Sequence, residues 1–477
     1  MKLVSDIVAH WAARTPDAIA LKEPARSWSF TELNALIGDT ASRLKARGVR
    51  AGDRAMIVCE NCSGAVAIYF ACTAIGAWPI VVNAKLTERE IEGICTHSEA
   101  RMVLRVNGKS DLAQCIASAD VDADCVPEPR EERDEQNVAA LIYTSGSTGE
   151  PKGVMLSHAN LMFVAAATAQ ARAFTASDCV QAVLPMSHIL GLTGVLLGSL
   201  YAGASVHLVQ RFDPAASMKS LADDGLSVII GTPSMYAMLA EYATRKGVTP
   251  IPAPRLRLIS SAGAPLDMAT KTAAETAFAM PLHNGYGMTE CGPTISLTPL
   301  DAPRKDCGIG RLLPGIEARI AGEGAGELFV KSPGVMKGYY KAPEETAAVR
   351  DADGWLRTGD LARYDDGSWF IEGRAKEMII RFGFNVYPAE IEGVLNAHPS
   401  VARAAVIGRA KDGSEDILAF IHAAEGAAPD VAELSVYAAA RLAPYKRPSE
   451  IRLISQMPMS AAGKILKAEL AAMAASA

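Results

Sequence analysis

LIYTSGSTGEPKGVMLSH, Leu141–His158, is the stretch from which the fold and the chemistry of this 477-residue chain are read. The apolar run Val138–Tyr143 that leads into it suits a buried strand. Thr144, Ser145, Gly146, Ser147, Thr148 and Gly149 then combine small residues, which let a backbone approach a ligand closely, with hydroxyl donors. Lys152 adds a cation after Pro151, Gly153 permits a further turn, and Val154–Leu156 resumes an apolar strand. Strand, donor-rich loop and lysine together describe a cradle for a polyphosphate. A P-loop would need Gly at Pro151, Ser or Thr at Gly153, and a helix where a strand is expected, so that reading fails on three counts. A loop that joins two strands and holds no ligand is the alternative.

Upstream, Leu3, Ile7, Val8 and Trp11 fall at helical spacing. Trp28–Leu33 reads as a short strand leading into a helix capped by Thr31 and closed at Gly48. Asp53–Cys59 is a strand, Ser63–Gly76 an apolar helix, Pro79–Val82 a strand, and a helix starts at Thr87. This alternation predicts an α/β fold built on a doubly wound parallel sheet. Residues 127–136, charged and bearing prolines, read as a solvated linker.

Downstream, a helix over Asn160–Arg172 precedes a strand, Cys179–Leu184, that ends in Pro185, Met186, Ser187 and His188. A histidine where a strand ends in an α/β protein lies where ligands bind, so His188, Ile189 and Leu192 are candidates for a pocket wall. Strand Leu256–Ser260 runs into Ser261, Ala262, Gly263 and Ala264, whose small side chains leave room for a flat ring. In His283–Glu290, Asn284 precedes Gly285, Tyr286 and Gly287, and the glycines clear space for a purine on the Tyr286 ring. Met288 follows, Thr289 offers a hydroxyl to phosphate, and Glu290 is a hard oxygen ligand suited to the Mg²⁺ that ATP carries. A glycine-rich turn with a capping Thr and a surface Glu is the alternative.

Size and composition permit a large multilayer core plus a second unit. A net charge of −6 argues against a nucleic-acid surface. No apolar run is long enough to span a bilayer and Met1–Asp6 shows no signal pattern, which together predict a cytoplasmic protein. Among nine cysteines, Cys59 and Cys62 form one C-x-x-C with no second pair to complete a zinc site, so they read as reduced core residues.

Thr144–Gly153 resembles the phosphate-binding signature of the adenylate-forming superfamily: acyl-CoA synthetases, nonribosomal peptide adenylation domains and beetle luciferases. Further motifs extend the resemblance over nearly the whole chain. Ser261–Leu266 is similar to SGGAPL, whose backbone packs against adenine, and Tyr286–Glu290, YGMTE, matches word for word. Gly354–Asp360 matches GWxxTGD, Gly373–Glu377 matches GRxKD/E, and Pro458–Ile465 is similar to PxTxSGKI. The resemblance implies a large N-terminal domain, residues 1–375, of doubly wound sheets plus a small β-barrel-like unit. It also implies a small mobile α+β C-terminal domain, residues 376–477, hinged near Lys376.

As the resemblance implies, Asp360 holds both ribose hydroxyls, Arg374 makes a second ribose or phosphate contact, and Lys464 is the catalytic lysine. Gly383 borders the pantetheine tunnel, next to Phe382 where many members carry Ser or Gly. Ala462 and Lys467 replace the family's usual Ser or Thr and Arg. Arg441, Lys446 and Arg447 place cations where the phosphates of CoA could be met.

The chemistry implied is capping of a carboxylate by ATP with loss of pyrophosphate, then transfer of the acyl group to the thiol of CoA. Like charges must be brought together, and at about 4 Å an effective dielectric near 20 makes each placed cation worth ~4 kcal/mol. Mg²⁺ on Glu290, the loop donors with Lys152, and Lys464 are the candidate sources of that stabilisation. The expected acid pocket, His188, Ile189, Leu192, Ala262, Gly285, Met288 and the turn of Cys291, Gly292, Pro293 and Thr294, contains no Arg or Lys. A second carboxylate would go unpaired there, which predicts an apolar fatty or aryl acid. Loading of a separate carrier protein, and nucleotide binding without turnover, are the rival functions.

Overall fold

The computed structural model describes residues 1–129, 134–145, 151–322, 324–381, 384–411, 414–459 and 465–475. Six parallel strands form the spine of the largest sheet: Leu282–Gly287, Leu258–Ser261, Val228–Gly231, Cys179–Ala182, Ser205–Leu208 and Ile19–Glu23, in that spatial order. Antiparallel strands close its two edges: Thr294–Leu297 and Arg311–Leu312 at one, Arg26–Ser29 at the other. The four strands from Cys179 to Gly287 are short and fully or largely buried, as expected where helices cover both faces. Strand order reverses around Cys179–Ala182, which has Ser205–Leu208 on one side and Val228–Gly231 on the other. Such a reversal opens a crevice at the carboxyl ends of the strands.

A second, parallel sheet (Trp78–Asn83, Arg54–Cys59, Met102–Val106) comes from the strand–helix alternation read near the N-terminus. The helices there start on capping boxes: Ser29 with Glu32, and Thr87 with Glu90. The cap of the Phe30–Ala46 helix is therefore Ser29, two residues earlier than the expected Thr31, because Ser29 is the residue whose hydroxyl accepts from the Glu32 amide. The expected linker at 127–136 is tied down at both ends: the Glu128 amide donates to the carbonyl of Gly52 and its carboxylate accepts from Tyr340 Oη at 2.7 Å, while the carbonyls of Glu135 and Gln136 accept from the Ala159 amide and Lys337 Nζ.

The stretch that opened the sequence reading forms an antiparallel hairpin, Val138–Ser145 with Pro151–Ser157, in which Thr144 faces Lys152. The strand Pro151–Ser157 follows where a P-loop would have a helix, and this separates the two. Gly338–Tyr339 adds a third strand beside Val154 and Met155. The predicted short β pieces form a four-stranded antiparallel sheet: Glu317–Ile320, Gly326–Lys331, Leu356–Asp365 and Ser368–Arg374. Towards the C-terminus, Val401–Lys411, Ser414–Ala423 and Glu450–Ile454 form a mixed sheet packed on Pro388–Asn396 and Val431–Ala439. This α+β unit has its own apolar cores, around Ile379, Ile391, Val406 and Leu434 and around Ile407, Phe420 and Leu470.

Gly285 and Gly287 owe their place to strand packing. A Cβ on Gly285 would lie 2.5 Å from Leu297 Cδ2, and one on Gly287 would lie 2.0 Å from the carbonyl oxygen of Pro293. The second contact is with backbone, which cannot rotate away. Gly287→Ala is therefore expected to lower stability by about 1–3 kcal/mol, the range for overpacking; urea unfolding followed by tryptophan fluorescence reads the loss.

Candidate active site

A single cleft of about 2980 Å³ runs along the carboxyl rim of the large sheet. Four of the six parallel strands deliver their motifs there: Cys179–Ala182 leads to His188, Val228–Gly231 to Pro233, Leu258–Ser261 to Ala262, Gly263 and Ala264, and Leu282–Gly287 to Met288, Thr289 and Glu290. The hairpin brings Thr144 and Lys152 to the same cleft, and the four-stranded sheet brings Asp360 and Arg374. Asn284, Gly285, Tyr286, Gly287, Ile189 and Pro293 also line it. Leu192, Cys291 and Gly292 are buried and lie behind this surface. Leu192 is buried in the core because it sits within the π-helix Leu190–Leu197, whose residues are buried throughout. Gly146, Ser147, Thr148, Gly149, Gly383 and Lys464 lie outside the described residues, as does the side chain of Ser145.

Two charge arrangements organise the rim. Tyr286 Oη donates to Asp360 Oδ2 at 2.5 Å, while Arg374 Nε approaches Asp360 Oδ1 at 3.3 Å. Burial, reinforced by the Asp360 charge, raises the Tyr286 hydroxyl well above its usual value, so it remains a neutral donor. Asp360 is 6% exposed. The pair therefore fixes one acidic group beside an aromatic ring, the geometry that a ribose with its base would need.

Tyr339 organises the second arrangement. Its hydroxyl donates to Glu290 Oε1 at 2.9 Å, and the Lys152 ammonium lies 5.2 Å from the centre of its ring. Burial, with the neighbouring Glu290 charge, pushes the Tyr339 hydroxyl up, which again keeps it a donor. Tyr339 thus holds Glu290 by one oxygen, and among the described residues no side chain binds the other. One free carboxylate oxygen on a rim that also carries Lys152 fits a hydrated Mg²⁺ bound together with phosphates. Lys152 itself pairs with Glu345, which is half exposed. Sequence reasoning passed over Tyr339 and Glu345 because they lie nearly 190 residues from Lys152; only the third strand of the hairpin sheet joins them.

At the other lobe of the cleft, Lys376 borders the space, and burial followed by the Arg374 charge lowers it below the ordinary lysine value. Lys467 bridges Glu377 (3.1 Å) and Glu392 (2.9 Å). Lys446 is held by both oxygens of Glu390 at 2.7 Å, and Arg447 donates to the carbonyls of Leu442 and Ala439, so these two expected phosphate cations are engaged within the fold.

Glu345 competes with any phosphate for Lys152. A partly exposed pair of this kind contributes about 0.5–1 kcal/mol, so Glu345→Gln should lower the KM for ATP by about two- to fivefold. Initial rates of pyrophosphate release against ATP concentration measure it.

Similarity to known proteins agrees with this geometry along the whole chain. The profile of the AMP-binding enzyme family matches residues 8–340, and that of the AMP-binding enzyme C-terminal domain matches residues 390–464. A feruloyl-CoA synthase of Amycolatopsis is 31% identical over 96% of this chain and 96% of its own length. A 2-succinylbenzoate–CoA ligase of Bacillus licheniformis is 32% identical over 96% of this chain and 98% of its own. The structure of an o-succinylbenzoate coenzyme A synthetase from Bacillus subtilis, in complex with ATP and magnesium ion, superposes with a TM-score of 0.86. It covers 98% of this chain and 99% of its own at 29% identity. The chain belongs to the AMP-binding enzyme family, and it is an ATP-dependent enzyme of the acid–CoA ligase class.

Proposed function

We propose that this enzyme activates a carboxylic acid with an apolar, fatty or aryl, body as its acyl-adenylate and passes the acyl group to CoA. The observation that carries this reading is the convergence of Lys152, Glu290 and the Tyr286–Asp360 pair on one cleft. Three segments far apart in the chain present a cation, a metal-holding carboxylate and a nucleoside-sized acceptor at one rim, which is the set an adenylation needs. The named activities of the relatives, feruloyl-CoA synthase and 2-succinylbenzoate–CoA ligase, agree with CoA as acceptor.

In this reading Tyr286 supplies a face for the adenine, and Ala262, Gly263 and Ala264 border its edge. Asp360 accepts from the ribose hydroxyls and Arg374 holds Asp360 in place. Lys152 and the hydroxyls of Thr144 and Thr289 meet the phosphates. Glu290, steadied by Tyr339, holds Mg²⁺, which when bound neutralises phosphate charge. Lys464 joins the carboxylate to the α-phosphate, where it offsets the repulsion between two anions as the new bond forms. His188, Ile189, Met288 and Pro293 wall the acid and exclude water from the mixed anhydride. The chain divides into an N-terminal domain, residues 1–375, and a C-terminal domain, residues 376–477, that turns about a hinge near Lys376. That turn withdraws Lys464 after the first step and brings Gly383 beside the thiol path.

The two half-reactions separate the roles. Lys464→Ala should slow acid-dependent pyrophosphate release by at least about a hundredfold, while conversion of supplied acyl-AMP and CoA to thioester stays within about threefold of wild type. Equal loss in both halves contradicts the two-pose reading.

A further inference from the structure

Arg172, at the C-terminal cap of the His158–Ala171 helix, borders the cleft although it is only 2% exposed. Its guanidinium makes one hydrogen bond, from Nη1 to the carbonyl of Gly194 at 3.3 Å. Nε and Nη2 are buried without a hydrogen-bond partner, and among the described residues no carboxylate pairs with them. Other buried cations of this chain are treated differently. Arg54 donates to the carbonyls of Ser98, Gly52, Val126 and Glu99, and Lys271 to Glu275 and the carbonyl of Leu282. A desolvated guanidinium with two idle donors is costly, and the cost is recovered when an anion meets it.

The surroundings say what kind of anion. Burial lowers Arg172 only to about 10, so it carries its charge at neutral pH. Thr294 Oγ1, also buried, unpartnered and on a residue that lines the cleft, sits near the same point: a Cβ on Gly194 would be 3.9 Å from it. Between this corner and the adenylate side lies Leu190. One of its methyl groups reaches the Gly194 position and the other lies 3.7 Å from where a Gly263 Cβ would be. The wall therefore runs from the nucleotide rim, along an apolar side chain, to a cation with an adjacent hydroxyl.

We propose that Arg172, supported by Thr294, is a specificity determinant that takes a second carboxylate at the far end of the acid's apolar body, so that the preferred substrates are dicarboxylic acids. This rests on the ligase reading above and deepens it. It also revises the expectation of a pocket without cations. Arg172 caps the C-terminus of a helix and belongs to no strand-end motif, so the packing of that helix over the Leu190–Leu197 helix brings it to the pocket.

The test uses matched acids: benzoate with 1,4-benzenedicarboxylate, 3-phenylpropanoate with its para-carboxylated analogue, and octanoate with octanedioate. Two readouts are taken for wild type, Arg172→Leu, Arg172→Lys and Thr294→Val: acid-dependent ATP–pyrophosphate exchange, and the acid-induced shift in melting temperature with AMP present. The expected result is a diacid preference in kcat/KM of at least tenfold in one pair for wild type. Arg172→Leu should reduce that preference at least tenfold, Arg172→Lys should retain part of it, and Thr294→Val should reduce it two- to fivefold. If Arg172→Leu does not fold, the graded responses of the other two variants decide. Wild-type exchange that favours the monoacid in every pair overturns this proposal and leaves the ligase reading standing. An Arg172-dependent thermal shift by a diacid without exchange supports the anion site and removes the ligase reading. A preference unchanged in all three variants overturns the role of Arg172, and so does the absence of any diacid effect in either readout.

Discussion

Parallel pairing of Leu282–Gly287, Leu258–Ser261, Val228–Gly231 and Cys179–Ala182 obliges every connection to re-enter the sheet from the same edge. Four loops must then open at the opposite edge, side by side, and the reversal of strand order at Cys179–Ala182 parts them into a crevice. Most of what the enzyme presents to its substrates hangs on that constraint. His188, Gly263, Tyr286 and Glu290 share a cleft because the ladder leaves their loops no other place.

Charge at the rim is arranged in advance of any ligand. Two tyrosines, each held neutral by burial, donate to two carboxylates: Tyr286 to Asp360 and Tyr339 to Glu290. At Glu290 the neutral donor fixes the direction of the acid and leaves its charge for the incoming group, whereas Asp360 also meets the Arg374 guanidinium. Lys152 instead rests on a half-exposed glutamate, a pairing weak enough to be displaced by phosphate. The acceptors are held rigidly and the cation loosely, in keeping with a site that must admit and release a triphosphate.

Ionic contacts also tie the C-terminal unit together internally. Lys467, three residues beyond Lys464, joins Glu377, next to Lys376, with Glu392 on the Pro388–Asn396 helix. Against the burial that would lower it, Glu392 and Glu377 hold Lys467 above the ordinary lysine value, so the bridge stays charged. Among the described residues no helix is long and apolar enough to cross a membrane.

Local chemistry was legible wherever neighbours in the chain are neighbours in space. The hairpin around Thr144 and Lys152, the strand-end motifs at Ala262–Ala264 and Tyr286–Glu290, the capping boxes and the α/β alternation all depend on residues a few positions apart. A single sequence is enough to read such features, and the resemblance to adenylate-forming enzymes followed from them. Tyr339 beneath Lys152, Glu345 as its resting partner, and Arg172 turned into the pocket were decided by tertiary structure alone. Each depends on a contact between segments far apart in sequence, and Leu192, expected in the pocket, went to the core for the same reason. A motif specifies which side chains a loop carries, but the packing of one element against another decides which of them reach the cleft and which charge each one meets there.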